Sequence, residues 1–181
     1  PLTEKFIELD PISLALPIIL SSSTNINLRL KAAHLAYFNN LLNADSLAAL
    51  YQTVDFTYEE LNDPIKMMTN INTNVEMGMA YFFQLINVQI LPITRLEAII
   101  KFWDFAEKNN LQLIAYNLSK SNLNTIKPSN ELSSFGPKIA KSYIYSKDFL
   151  NAEKWLIFSQ QISSDEDLIS ELNSTRLLYN L

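Results

Sequence analysis

The only histidine of the chain, His34, sits in KAAHLAYF with apolar residues on both sides. Histidine is the side chain best matched to proton transfer and metal binding near neutral pH. With no cysteine and no second histidine, a zinc site would have to be completed by carboxylates, a poor set for that ion. Ser and Asp are plentiful enough for a Ser–His–Asp triad, but no G-x-S-x-G turn supports one. The apolar, helical setting of His34 reads as a structural or surface histidine. Carboxylates cluster twice, at Glu59, Glu60 and Asp63 and at Asp165, Glu166, Asp167 and Glu171. Paired carboxylates facing each other across a cleft hydrolyse glycosides. Both clusters stand at predicted helix N-termini, where caps and the helix dipole favour negative charge, and this accounts for them without a reaction. The D-x-D-x-D-G spacing of a calcium loop does not occur. No cofactor or metal motif stands out, and a non-enzymatic protein is expected.

The aromatic residues Tyr81, Phe82, Phe83, Phe102, Trp103 and Phe105 have the spacing to line an apolar ligand pocket. The same spacing serves a helical core, the simpler reading. Composition narrows the partners. A net charge of −5, a pI near 4.9 and the lack of a Lys/Arg cluster disfavour nucleic acid. Two glycines in 181 residues, Gly78 and Gly136, leave no Gly-rich phosphate loop. The absence of cysteine removes disulfides and thiolate chemistry while leaving the compartment open, cytoplasmic or periplasmic. The run ISLALPIIL (12–20) is too short for a membrane span and lacks the basic flank of a signal peptide. Beginning at Pro1, the chain reads as a piece of a longer protein.

Helices must position these groups. Thr57–Glu60, Thr73–Glu76, Thr94–Glu97 and Ser163–Glu166 each match a capping box before an apolar, helix-spaced stretch. Asp63–Pro64 adds a cap with proline at the first helical position, and Asp45 and Asp148 fall where further caps are needed. Leu96, Ile99, Ile100, Trp103 and Ala106 mark one apolar stripe; Val75, Met79, Phe82, Phe83, Ile86 and Ile90 mark another; Leu168, Leu172 and Thr175 mark a more exposed last helix. The expected helices span 11–20, 27–40, 45–54, 57–62, 64–69, 74–90, 94–108, 111–121, 131–146, 148–161 and 165–179. The stretch SKSNLNTIKPSN (119–130) is the longest expected loop and the best internal boundary. Apolar helices flank it on both sides, so a single helical-repeat domain over 1–181 is expected.

The stretch FGPKIAKSYIYSKDFLNAEKWLIFSQ (135–160) reads as a helix pair. Ala140 and Ala152 are spaced for close helix approach; Tyr143 follows the first by one turn; Asp148–Phe149 follows the turn at Lys147; Leu156 and Ser159 succeed Ala152. At these positions residues 135–164 resemble a tetratricopeptide repeat, whose unit runs to roughly 34 residues. Lys147 stands where that family usually has Gly, and Ser164 where it often has Pro. Ala36 and Ala48 repeat the alanine spacing, whereas the Tyr81–Asn109 pair departs from it. The expected fold is therefore all-α, an irregular α-solenoid of antiparallel helix hairpins, with a compact helical bundle as the alternative. Residues 28–64 are also similar to part of large, uncharacterised alphaproteobacterial proteins, which implies a bacterial setting and no activity. The tetratricopeptide resemblance implies a scaffolding or protein–protein interaction module. The partner would be a protein, a peptide or another region of the parent chain, held in a groove lined by Lys141, Ile144 and Tyr145. The alternatives are a helical accessory domain of a cell-wall glycosidase, with Glu59, Glu60 or Glu97 in a cleft, and an apolar-ligand carrier built on 74–90.

Overall fold

A computed structural model describes residues 15–63, 67, 74–162 and 166–179. Among them the fold is all-α, with ten α-helices and no strand. The chain divides into two compact units, Pro1–Val88 and Gln89–Leu181. The division does not fall at 119–130, because helix continues through that stretch to Asn124.

The first unit contains α1 (Ala15–Ser22), α2 (Ile26–Phe38), α3 (Ala44–Gln52), α4 (Tyr58–Asn62) and α5 (Val75–Val88). Leu16 and Ile19 of α1 close on Leu28 and Ala32 of α2. Helices α2 and α3 form a hairpin that packs on α5. Every residue of α5 from Gly78 to Ile86 is buried, so Tyr81, Phe82 and Phe83 are core. Tyr81 meets Phe56 edge-on and Phe83 meets Tyr51, both at ring separations typical of aromatic packing. Ile90, expected on the same stripe, lies beyond the helix end and is exposed. Short polar side chains set the helix starts by accepting N–H groups that have no intrahelical partner. Asn25 accepts from Leu28, Asn43 from Ser46 and Asn74 from Met77. Asn43 thus takes the capping role expected of Asp45, which falls inside the first turn. Thr57 and Glu60 make the expected reciprocal box. Thr73, Pro64 and most of the helix expected at 64–69 lie outside the described residues.

The second unit contains α6 (Pro92–Lys108), α7 (Gln112–Asn124), a 3₁₀ segment (Asn130–Phe135), α8 (Gly136–Tyr145), α9 (Phe149–Ile162) and α10 (Glu166–Tyr179). Helix α6 starts before the expected Thr94–Glu97 box. Pro92 takes the first turn, where its fixed φ and missing N–H carry no penalty, and Thr94 Oγ1 donates to Leu91 O instead of capping. Its stripe Leu96, Ile99, Ile100, Trp103, Ala106 is buried as the spacing predicts. Proline also splits the helix expected at 131–146: Pro137 stands in the first turn of α8, and the preceding residues form the 3₁₀ segment. Ser163 and Asp165 lie outside the described residues.

Three hairpin turns share one design. Asn40, Asn110 and Lys147 all have left-handed backbones, with φ of 57°, 59° and 58°. In each, the next residue's N–H reaches back across the helix end: Leu41 to Ala36 O (2.8 Å), Leu111 to Ala106 O (2.8 Å) and Asp148 to Tyr143 O (2.7 Å). The left-handed residue itself donates to Tyr37 O, Glu107 O and Ile144 O respectively. This is the Schellman pattern, which satisfies carbonyls otherwise left open at a helix C-terminus. Asp148 then caps α9 by accepting from Asn151 N–H, as its position predicts.

Candidate functional site

Within the second unit, α6 and α8 are the leading helices of two successive hairpins, and two ion pairs join them. Lys138 Nζ lies 3.7 Å from Asp104 Oδ1, and Lys141 Nζ lies 3.4 Å from Glu107 Oε1. Both pairs are about half exposed, so each is a weak surface ion pair. In both, the partners are 34 residues apart. The segments are DFAE (104–107) and KIAK (138–141), the same order of charge, apolar residue, alanine and charge with opposite signs. Between the charges, Ala106 and Ala140 are completely buried.

Tyr145, one turn beyond Lys141, stacks on Tyr116 of α7 at 5.0 Å and 14°. Tyr116 meets Trp103 edge-on at 5.2 Å, and the Trp103 Nε1–H donates to Ser119 Oγ. A continuous run of rings thus leads from the core to Tyr145, which is 39% exposed. Asp104, Glu107 and Lys108 line a shallow hollow of about 350 Å³. The outcome is a mixed-charge ridge ending in an aromatic platform.

Lys141 and Tyr145 therefore share this surface, and Ile144 does not. At 3% exposure Ile144 belongs to the inward stripe of α8 with Ile139, Ala140 and Tyr143. Helical geometry sends the i and i+4 residues 141 and 145 one way and the 140, 143, 144 stripe the other. Asp104, Glu107, Lys138 and Tyr116 lie on or beneath this candidate surface, and no expectation named them. The signal for the three charged ones was present in the 34-residue offset between DFAE and KIAK. It was obscured by reading Tyr81–Asn109 as one helix pair, whereas the hairpin partner of α6 is α7.

The other chemical candidates occupy structural positions. His34 is buried, and its Nε2 lies 2.5 Å from Tyr51 Oη. Burial lowers the imidazole pKa to about 4. Burial, followed by the charges of Glu76 and Tyr37, raises the Tyr51 hydroxyl well above its usual range. The two form a neutral pair tying α2 to α3. Glu60 Oε2 accepts from Thr57 N–H at 2.8 Å, while Glu59 and Glu97 are exposed on helix surfaces. Glu166 and Asp167 lie in the first turn of α10. Among the described residues, no three His, Asp or Glu converge as a metal site, and no helix is long and apolar enough to cross a membrane. Comparison with known proteins finds no family model, no curated protein and no solved structure that matches this chain.

Proposed function

We propose that the chain is a non-enzymatic protein-interaction module, an irregular, tetratricopeptide-like array of helix hairpins that docks a protein or peptide on the α6–α8 face. The observation carrying this reading is the two ion pairs between α6 and α8, each joining residues 34 apart. Opposite charges at equivalent positions of the two segments come within ion-pair distance, as they can when one hairpin stacks on the next. Such stacking aligns leading helices on one face. Here that face offers Asp104, Glu107 and Lys108 around a hollow, Lys141 paired with Glu107, and Tyr145 one turn further along α8, stacked on Tyr116. The exposed tyrosine, backed by Tyr116 and Trp103, has the rigidity and amphipathic character of an interface anchor. A partner carrying both charge signs, including another region of a longer parent chain, would exchange with the two surface ion pairs at small cost.

Photo-crosslinking tests the assignment. A crosslinking residue placed at Tyr145 in the source cell should capture one defined protein species. The same residue at Tyr58, which is exposed on the other unit, should not. Lys141→Glu should remove the adduct. Equal adducts from both positions, or an adduct indifferent to Lys141→Glu, would reject the face.

A further inference from the structure

The first unit carries a cleft of about 300 Å³ between α1, α2 and α3, lined by Leu20, Arg29, Leu42, Ser46, Ala49, Leu50 and Thr53. Its wall is aliphatic except for one cation and two hydroxyls. Arg29 Nε is buried and donates to no acceptor. The residues three and four positions from Arg29 are the N-cap Asn25 and Ile26, Ala32 and Ala33 of α2, so no acidic neighbour on its own helix neutralises it. A buried N–H without an acceptor is destabilising, and a guanidinium beside an apolar wall is suited to an anion with an apolar body. The terminal Nη–H groups of a guanidinium form a fork that matches the two oxygens of a carboxylate.

The remaining dimensions select among carboxylates. At roughly 30 Å³ per non-hydrogen atom, as in a liquid, the cleft takes about ten such atoms. The Thr53 hydroxyl already donates to Leu50 O. The lining therefore offers few groups to meet the amides of an extended peptide. We propose that the first unit binds a medium-chain alkyl carboxylate, with the carboxylate on Arg29 and the chain along Leu20, Leu42 and Leu50. This site is independent of the α6–α8 face, and neither reading falls with the other.

Calorimetric titration of the full chain with sodium octanoate tests the site. Saturable binding is expected, with 1-octanol, the same length without the charge, at least tenfold weaker. Arg29→Gln should weaken octanoate at least tenfold. Ala49→Trp, an exposed α3 position whose new ring fills the cleft, should abolish binding. Circular dichroism checks that each variant remains helical, and Ala49→Trp decides the matter if Arg29→Gln does not fold. The proposal is overturned if octanoate shows no saturable binding, if octanol binds equally well, or if the folded variants bind octanoate as the parent does. It is also overturned if a peptide ending in a free leucine carboxylate binds while octanoate does not, because the occupant is then a chain terminus.

Discussion

His34 responds to acid in one direction only. Its ordinary pKa of 6.5 falls to about 4 on burial. Above pH 6.5 the imidazole is neutral in both folded and unfolded chains and contributes no pH dependence. Between 6.5 and 4 the unfolded chain takes up a proton that the folded chain refuses, so stability falls as pH falls, by about 3 kcal/mol over the window. The thermal midpoint of the parent should therefore drop more steeply from pH 7 to pH 4 than that of His34→Gln; parallel curves would show that this imidazole is not the cause. Lys147 is a second residue whose conformation dictates its response. A side chain at φ 58° is strained where glycine is not. Lys147→Gly should raise stability by about 1 kcal/mol in urea denaturation, and Lys147→Val should lower it.

Helix pairs are held by close approach as much as by apolar area. At the entry to α8, a Cβ on Gly136 would stand 1.5 Å from Ser159 Oγ and 3.2 Å from Trp155 O. Gly136→Ala should cost about 1–3 kcal/mol by forcing α8 from α9, read as a lower denaturation midpoint with an unchanged slope. The Lys141–Glu107 contact is of the opposite kind. A double-mutant cycle on it should return less than about 1 kcal/mol, because the pair is wet. Helix existence was legible in the sequence where a polar cap or an apolar stripe was strong, as at the Thr57–Glu60 cap and the Leu96–Ala106 stripe. Helix starts were misread where two signals competed. Asn43 outranks Asp45 at the start of α3, and Pro92 overrides Thr94 at the start of α6. The proposed surface was only partly legible. The exposure of Tyr145 and the outward position of Lys141 follow from the helix period, but Ile144 was assigned by analogy of position, and the inward stripe of α8 buries it. The ion pairs across helices depend on which helices are neighbours, and spacing within one helix carries no such information.

At the scale of the molecule, residues 89–181 form a compact unit with their own buried residues from α6 to α10. Expressed alone, this segment should give a helical spectrum and a cooperative thermal transition, as a unit with its own core does. A broad, non-cooperative melt would show that it borrows order from the remainder.

The two tryptophans of the chain, Trp103 and Trp155, are both buried and both belong to this unit. The first unit carries tyrosines, among them the enclosed Tyr51 and Tyr81, but no indole. The protein is thus labelled by nature on one side. Emission excited at the red edge of the indole band follows the hairpins of α6 to α9 alone, while far-ultraviolet ellipticity follows every helix. Superimposed, the two signals reveal whether the units melt as one body or in succession, without a dye, a tag or a substitution.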